Sequence, residues 1–355
     1  MTRWLTAALA LVLTASGCGY ELSDDVDWEL DFFDLLHSHD LHTPYVPGAT
    51  VTFWADAYGG APEDIDTWRF ESSDASVARV ASSEGDRASI EMRSPGTATI
   101  RLLRGDEIIA SAAIEVGTPA EAELMWHGDL LLRRSEEEAR VEDARVLVGE
   151  TGAFLVRFRD ADGRLLSGNG ALGVEAAPEA GASTERTFLV ERRDWLMLTP
   201  TSVGEHEVSL SAGGLPVDMF LLTGVGAGSV ASVVIEGQSE AGRKNGDALV
   251  LVAHAEDEEG RPIFGIDYAW DVGGDSVAGS GDVLRYTFDE RSPAMVGATF
   301  GEARGETMIR TSGPLRVDDS ANVGCSASGI ESVGSSVPLT LLALVLSWRR
   351  RGRLG

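Results

Sequence analysis

Along most of the chain apolar and polar residues alternate with a period of two. In Thr97-Ala-Thr-Ile100-Arg-Leu102 the apolar Ala98, Ile100 and Leu102 fall on one face, and Ala88, Ile90 and Met92 do the same just upstream. Val208, Leu210 and Ala212 form another such stripe, as do Phe154, Val156 and Phe158. Stripes of this kind, bounded at short intervals by Gly, Asp and Pro, predict half-buried strands and an all-β sandwich or barrel. Long runs of helical periodicity are nearly absent. The pattern therefore predicts an all-β protein.

The strands recur in units. Phe154-Leu-Val-Arg-Phe-Arg-Asp160-Ala-Asp-Gly163-Arg-Leu-Leu-Ser-Gly168 is echoed by Leu251-Val-Ala-His-Ala-Glu-Asp257-Glu-Glu-Gly260-Arg-Pro-Ile-Phe-Gly265. Each echo is a strand, an acidic turn whose glycine can take positive φ, and a second glycine five residues later. Late in each unit a turn precedes a closing strand, at Ser94-Pro-Gly96, Ser202-Val-Gly204 and Ser292-Pro-Ala. The spacing predicts three sandwiches, over 41–117, 118–225 and 226–318, behind an acidic linker over 18–40.

The first unit contains Trp68-Arg-Phe-Glu-Ser72-Ser73-Asp74-Ala-Ser-Val77-Ala-Arg-Val80, followed by Ser94-Pro-Gly96-Thr-Ala-Thr-Ile100. This series resembles the bacterial Ig-like group 2 domain, whose pattern is a Trp before Ser-Ser-Asp, a Val-Ala-x-Val strand and a Gly-Thr-Ala-Thr-Ile strand. The resemblance implies serial immunoglobulin-like β-sandwich domains. Physically, Trp68 is a large core anchor, Ser72 to Asp74 form a turn that caps itself, and Val77 and Val80 re-enter the sandwich. Trp270 is the candidate for the same part in the third unit. The second and third units match the family only in their strands and turns.

Both ends carry targeting patterns. Arg3 precedes the apolar run Leu5 to Leu13, and small residues then lead to Ala15-Ser16-Gly17-Cys18. A basic start, a short apolar core and small residues are the signature of a signal peptide, here over 1–17. The residues before Cys18 resemble the lipobox of bacterial lipoproteins, with Ala15 where that family usually places Leu. That implies acylation of Cys18, an ordinary signal-peptidase cut being the alternative. Over 319–355, Cys325 and a polar spacer lead to the apolar stretch Val337 to Trp348 and then to Arg349, Arg350, Arg351 and Arg353. The order resembles the short myxobacterial C-terminal sorting signal, implying processing near Cys325 and attachment at the cell surface. The rival reading is an ordinary C-terminal membrane anchor, although about 19 residues from Ile330 to Trp348 would barely cross the hydrocarbon layer.

Charge and cysteine content narrow the picture. The net charge is −28. That excess of carboxylates argues against nucleic acid as a partner, because such binding is dominated by cations on phosphate. The two cysteines are Cys18 and Cys325, so the domains between them must fold by apolar burial without disulfides.

Candidate chemistry is sparse. His37, His39, Asp40 and His42 could surround a Zn²⁺ or Cu²⁺ ion if the segment turned back on itself, the alternative being a polar linker or first strand. The acidic turns Asp160-Ala-Asp162-Gly and Glu256-Asp-Glu-Glu259-Gly offer clustered oxygens of the kind Ca²⁺ takes, but lack EF-hand spacing and also suit ordinary hairpins. Glu136 to Asp143 reads as a solvated loop or short helix. Gly274-Asp275-Ser276 is followed by no helix that could supply an oxyanion hole, and short strand-rich units are expected to leave no large cleft. The expectation is a non-enzymatic structural or adhesive protein of the envelope, held to the membrane through lipid and sorting tail. The alternative is a binding module for a specific surface glycan or protein.

Overall fold

A computed structural model describes residues 20–24, 41–57, 65–188, 191–237, 248–279, 281–287 and 294–309. The strands fall into pairs of facing sheets. The first pair is built from β1 (Tyr20–Asp24), β2 (Thr50–Ala57), β3 (Trp68–Ser72), β4 (Ala78–Glu84), β5 (Arg87–Met92), β6 (Gly96–Arg104) and β7 (Glu107–Val116). One sheet runs β1-β2-β5-β4 and the other β3-β6-β7. Tyr20–Asp24 lies in the stretch expected to be an acidic linker. It pairs antiparallel with β2, from Tyr20↔Ala57 to Asp24↔Phe53, and so covers an edge that β2 would otherwise leave open.

The second pair uses β8 (Pro119–Trp126), β9 (Ala144–Leu147), β10 (Gly152–Asp160), β11 (Leu165–Leu166), β12 (Leu172–Ala176), β13 (Ala182–Phe188), β14 (Glu191–Leu198), β15 (Gly204–Ala212) and β16 (Leu215–Val225). Here β8-β10-β14-β13 faces β12-β15-β16-β9, with the short β11 on β10. Two short helices, α1 (His127–Leu131) and α2 (Glu136–Ala139), follow β8. The second lies in the charge run and starts on a capping box, Ser135 and Glu138 satisfying each other's backbone N–H.

The third pair uses β17 (Ser232–Gly237), β18 (Ala248–Glu256), β19 (Pro262–Ile263), β20 (Ala269–Val272), β21 (Asp275–Val277), β22 (Val283–Thr287), β23 (Ala294–Phe300) and β24 (Ala303–Ile309). β18 pairs with β17, β22 and β19, while the facing sheet runs β21-β20-β23-β24.

Lettered in chain order, the first two pairs each give one sheet A-B-E-D and a second containing C-F-G, and the third gives A-B-E against C′-C-F-G. This is the immunoglobulin-like connectivity. The alternating residues explain why the sheets close on each other. Ala88, Ile90, Met92, Ala98, Ile100, Leu102, Phe154, Val156, Phe158, Val208, Leu210 and Ala212 are all buried. Trp68 and Trp270 occupy the C strand of the first and third sandwiches and are both buried, Trp270 donating from Nε1 to the Gly281 carbonyl at 3.1 Å.

Candidate functional site: the joints between sandwiches

The echoed sequence folds into the same object twice. In the first copy Asp160 Oδ1 accepts from the backbone N–H of Asp162 (3.0 Å) and Arg164 (2.9 Å), while Oδ2 accepts from Arg164 Nε (2.7 Å). In the second, Asp257 Oδ1 accepts from Glu259 N (3.0 Å) and Arg261 N (2.9 Å), and Oδ2 from Arg261 Nε (2.9 Å). Gly163 (φ 78°) and Gly260 (φ 75°) supply the left-handed residue each turn needs. These carboxylates are thus committed to backbone and arginine, and the turns expected as Ca²⁺ candidates are braced from within. Burial opposes ionisation of Asp160 and Asp257, but the backbone and guanidinium hydrogen bonds outweigh it and hold both below the usual carboxylate range.

Seven residues beyond each aspartate the chain meets the preceding sandwich. Ser167 donates to the Pro44 carbonyl (2.8 Å) and accepts from Val46 N (2.8 Å). Phe264 donates to the Arg145 carbonyl (2.8 Å) and accepts from Leu147 N (3.2 Å). Both contacts are parallel bridges, centred on Tyr45↔Ser167 and Val146↔Phe264. The second glycine of each echo follows immediately, at Gly168 (φ 108°) and Gly265 (φ 79°). A Cβ on Gly168 would stand 2.7 Å from Cβ of Ala49, and one on Gly265 would stand 2.7 Å from the Gly152 nitrogen. Gly168 thus lets the second sandwich lie against the Ala49 and Val51 side chains of the first, and Gly265 lets the third reach the backbone of the second.

Charge locks each joint differently. At the first, Arg164 reaches back to Glu115 with two bonds, at 2.7 and 3.0 Å. This pair is half-exposed and sets orientation more than stability. Asp194, buried on β14, accepts from the N–H groups of Gly170, Ala171 and Leu172 and so fixes the loop that meets the first sandwich. At the second, Arg145 Nη1 lies 2.6 Å from Asp257 Oδ2, with the two residues only 5% and 7% exposed. Aromatic packing adds to it. Phe264 of the third sandwich sits 5.3 Å from the rings of both Trp126 and Phe154 of the second.

A second crossing of this joint runs through His127, the first residue of α1. Its Nδ1 is 3.2 Å from the Ala153 carbonyl and its Nε2 is 3.0 Å from Asp282 Oδ1. Both partners are acceptors when Asp282 is ionised, so the geometry calls for a ring carrying both protons. Burial alone would push the imidazole pKa down, but the charge and hydrogen bond of Asp282, with the Ala153 carbonyl and Asp129, raise it above 6.5.

Beside this crossing a cavity of about 420 Å³ opens between the second and third sandwiches, lined among others by Trp126, Asp129, Arg134, His254, Pro262 and Phe264. This corrects the expectation that small strand-rich units leave no large cleft. Its lining residues come from both sandwiches, so the joint between them forms this space. Of its lining residues, His254, Arg261, Pro262 and Phe264 fall in the echoed segment and Glu138 to Asp143 in the charge run, whereas Trp126, Asp129 and Arg134 follow no motif. Arg145, Asp194, His127 and Asp282 were likewise invisible as a set, His127 and Asp282 being 155 positions apart.

The residues singled out from sequence lie elsewhere. Trp68 is buried between the sheets of the first sandwich with Val77 beside the same core, and Val80 is half-buried against it. Ser72 Oγ accepts from Asp74 N (3.2 Å), Asp74 Oδ1 accepts from Ser76 N (2.9 Å), and Ser73 Oγ accepts from Thr99 N (2.8 Å). Gly96, at φ 151°, passes so close to Val77 that a Cβ would stand 2.9 Å from Cγ2. Cys18, His37, His39, Asp40 and Cys325 lie outside the described residues, and His42 is half-buried ahead of β2. Among the described residues no group of His, Cys, Asp and Glu side chains is placed to hold a metal ion. Asp275 and Ser276 belong to the hairpin strand β21.

The fold and its joints define a chain of serial immunoglobulin-like sandwiches. No family model matches the chain, and no curated protein matches it. Among solved structures it is similar to domains 4–9 of the surface layer protein SbsC, at 13% identity over 82% of this chain and 47% of that one, with a TM-score of 0.31. It is similar also to the Escherichia coli adhesin FdeC, at 15% identity over 84% of this chain and 98% of that one (TM-score 0.24). A third is invasin, a bacterial integrin-binding protein, at 13% identity over 74% and 55% (TM-score 0.24). The chain spans about half the length of the SbsC fragment.

Proposed function

We propose that this is a non-enzymatic structural or adhesive protein displayed on a bacterial cell surface, where its sandwiches act as a stiff spacer. The carrying observation is the repeated joint. An Asp-x-x-Gly-Arg turn and a backbone bridge join each sandwich to the one before it, in equivalent register at both junctions. Such a joint transmits orientation along the series, which a protein holding an outer surface away from a membrane requires and a set of loosely tethered modules lacks. The first sandwich is read as a bacterial Ig-like group 2 domain on its Trp68 to Val80 series. Export through residues 1–17, lipid on Cys18 and processing near Cys325 complete the reading, with the membrane reached through lipid and tail.

The test is protease treatment of intact cells, followed by mass spectrometry of the released peptides. Display predicts peptides from 41–309 in the released fraction. Their recovery only after the cells are lysed would overturn it. A second reading, a binding module for a surface glycan or protein, is favoured by the cavity at the second joint.

A further inference from the structure

The two joints share a backbone bridge, but the charges that lock them answer differently to pH. At the first, the hydrogen bonds between Arg164 and Glu115 hold the carboxyl below 4.5 and the guanidinium above 12.5. At the second, Asp257 is likewise held low beside Arg261 and Arg145. Neither pair titrates near neutral pH. The contact between His127 and Asp282 does. His127 belongs to α1 of the second sandwich and Asp282 precedes β22 of the third, so the 3.0 Å from Nε2 to Oδ1 crosses the joint.

The ring's other nitrogen, Nδ1, lies 3.2 Å from the Ala153 carbonyl within its own sandwich. Both neighbours accept, and only an imidazolium has a proton for each. A neutral ring keeps one. With that proton on Nδ1 a lone pair faces the Asp282 carboxylate, and with it on Nε2 a lone pair faces the Ala153 carbonyl. Either way two acceptors meet at a site where His127 is 4% exposed, without water to separate them. The surrounding charges favour the proton. Burial opposes it, but Asp282, and Asp129 on the ring's own helix, overcome that opposition. β8 presents the Trp126 ring edge-on at 5.7 Å. From β18 come His254, also 5.7 Å from Trp126, and Glu256, 3.7 Å from His254 Nε2. Glu138 of α2 and Glu236 of β17 bear on Asp129. Tyr268 lies near Asp282 and stays protonated, its pKa raised by burial and by that carboxylate.

We propose that the second joint is a pH-responsive hinge, clamped while His127 is protonated and released when the ring is neutral, while the first joint stays fixed. The Val146↔Phe264 bridge and the Arg145–Asp257 pair keep their form over the same range and remain as the pivot. The hinge goes beyond the proposed spacer role and does not depend on surface display. The clamped state binds the proton more tightly than the open state, in which the ring takes its ordinary value of about 6.5. The clamp is therefore complete below that value and is lost as pH rises through the clamped-state pKa. Between the two values the clamped-to-open ratio falls by up to about tenfold per pH unit, as one proton requires. Rigidity of the whole series is thus a property of the protonated joint.

The experiment is the distance between spin labels in the full chain, with Cys18 and Cys325 replaced, at about pH 5.5 and about pH 9, either side of an imidazole's range. Ser209→Cys with Asp275→Cys spans the second joint, and Asp106→Cys with Ser209→Cys spans the first; all three sites are exposed. The distribution across the second joint should broaden in alkali with a midpoint above 6.5, and the one across the first should not change. The response should be lost in His127→Gln and in Asp282→Asn, and kept in His254→Gln. Thermal unfolding in acid identifies a variant that has failed to fold, and the other then carries the comparison. If both fail, the His127 imidazole followed by NMR in the unaltered protein decides, since it must titrate at the midpoint of the broadening. An unchanged distribution across the second joint, equal broadening at both joints, or a ring that titrates away from the midpoint would overturn the proposal. So would a response that survives in folded His127→Gln or Asp282→Asn, or one that is lost in folded His254→Gln.

Discussion

Trp68 shows how one side chain can decide a sandwich. It spans the space between two sheets that have no disulfide to hold them, and Val77 and Ile100 are buried in the same core. Trp68→Ala should therefore cost about 3–5 kcal/mol, the range for removing a large buried aromatic, and chemical denaturation of the variant checks it. A cost within the scatter of surface substitutions would mean that the anchor lies elsewhere. This part was legible in the sequence because Trp68, the Ser72 to Asp74 turn and Gly96 act through neighbours close along the chain or one strand away. His127 was not legible, since its meaning comes from Asp282 on another sandwich. Its folded pKa is raised, so its contribution is present below the ordinary value of 6.5 and is lost as pH rises through the folded value. The prediction is a fall in unfolding temperature on the alkaline side of 6.5 that disappears in His127→Gln. An identical alkaline profile in the two proteins would remove the imidazolium from the account. Asp282, Asp129 and the Ala153 carbonyl face the ring, and of these the Asp282 contact is the direct ion pair.

At the scale of elements, the echoed turn was visible as a repeat, but its purpose was not. Alternation and turn residues report how a strand packs within its own sandwich. They do not report that Ser167 and Phe264 bridge to the sandwich before. In the first unit the sequence after β2 reads Asp56-Ala-Tyr-Gly59-Gly60, with glycine where Arg164 and Arg261 stand. The apolar half of the second joint rests on Phe264, buried against Trp126 and Phe154. Phe264→Ala should remove about 3–5 kcal/mol of stability, and should split a shared thermal transition so that the third sandwich melts first. Calorimetry distinguishes that from a uniform shift of one transition, which would place Phe264 in an ordinary core. Acid should act on the same elements. Asp160 and Asp257 are depressed below 3.8, so their contribution is present above that value and fades as pH falls through the folded values. Asp257→Asn should flatten the acid limb of the stability profile, and an unaltered limb would assign it to other carboxylates.

At the scale of the molecule, the apolar packing does not stop at the edges of the sandwiches. One buried cluster runs from Tyr45 and Phe53 through Phe154 and Leu210 to Val252, Phe264 and Val283. A second cluster fills the third sandwich around Trp270 and Leu251. Reading strands one unit at a time suggested separate modules, because a buried Leu166 or Phe264 looks the same in a sequence whether it faces its own sandwich or the next. Continuous burial and two equivalent joints underlie the proposal that the described residues act as one rigid series, and that rigidity is the central claim. It is tested most directly by a distance between spin labels on Asp106→Cys in the first sandwich and Glu302→Cys in the third, with Cys18 and Cys325 replaced. Both sites are exposed. The account predicts a single narrow distance distribution that broadens in Phe264→Ala; a broad, many-valued distribution in the otherwise unaltered protein would contradict it.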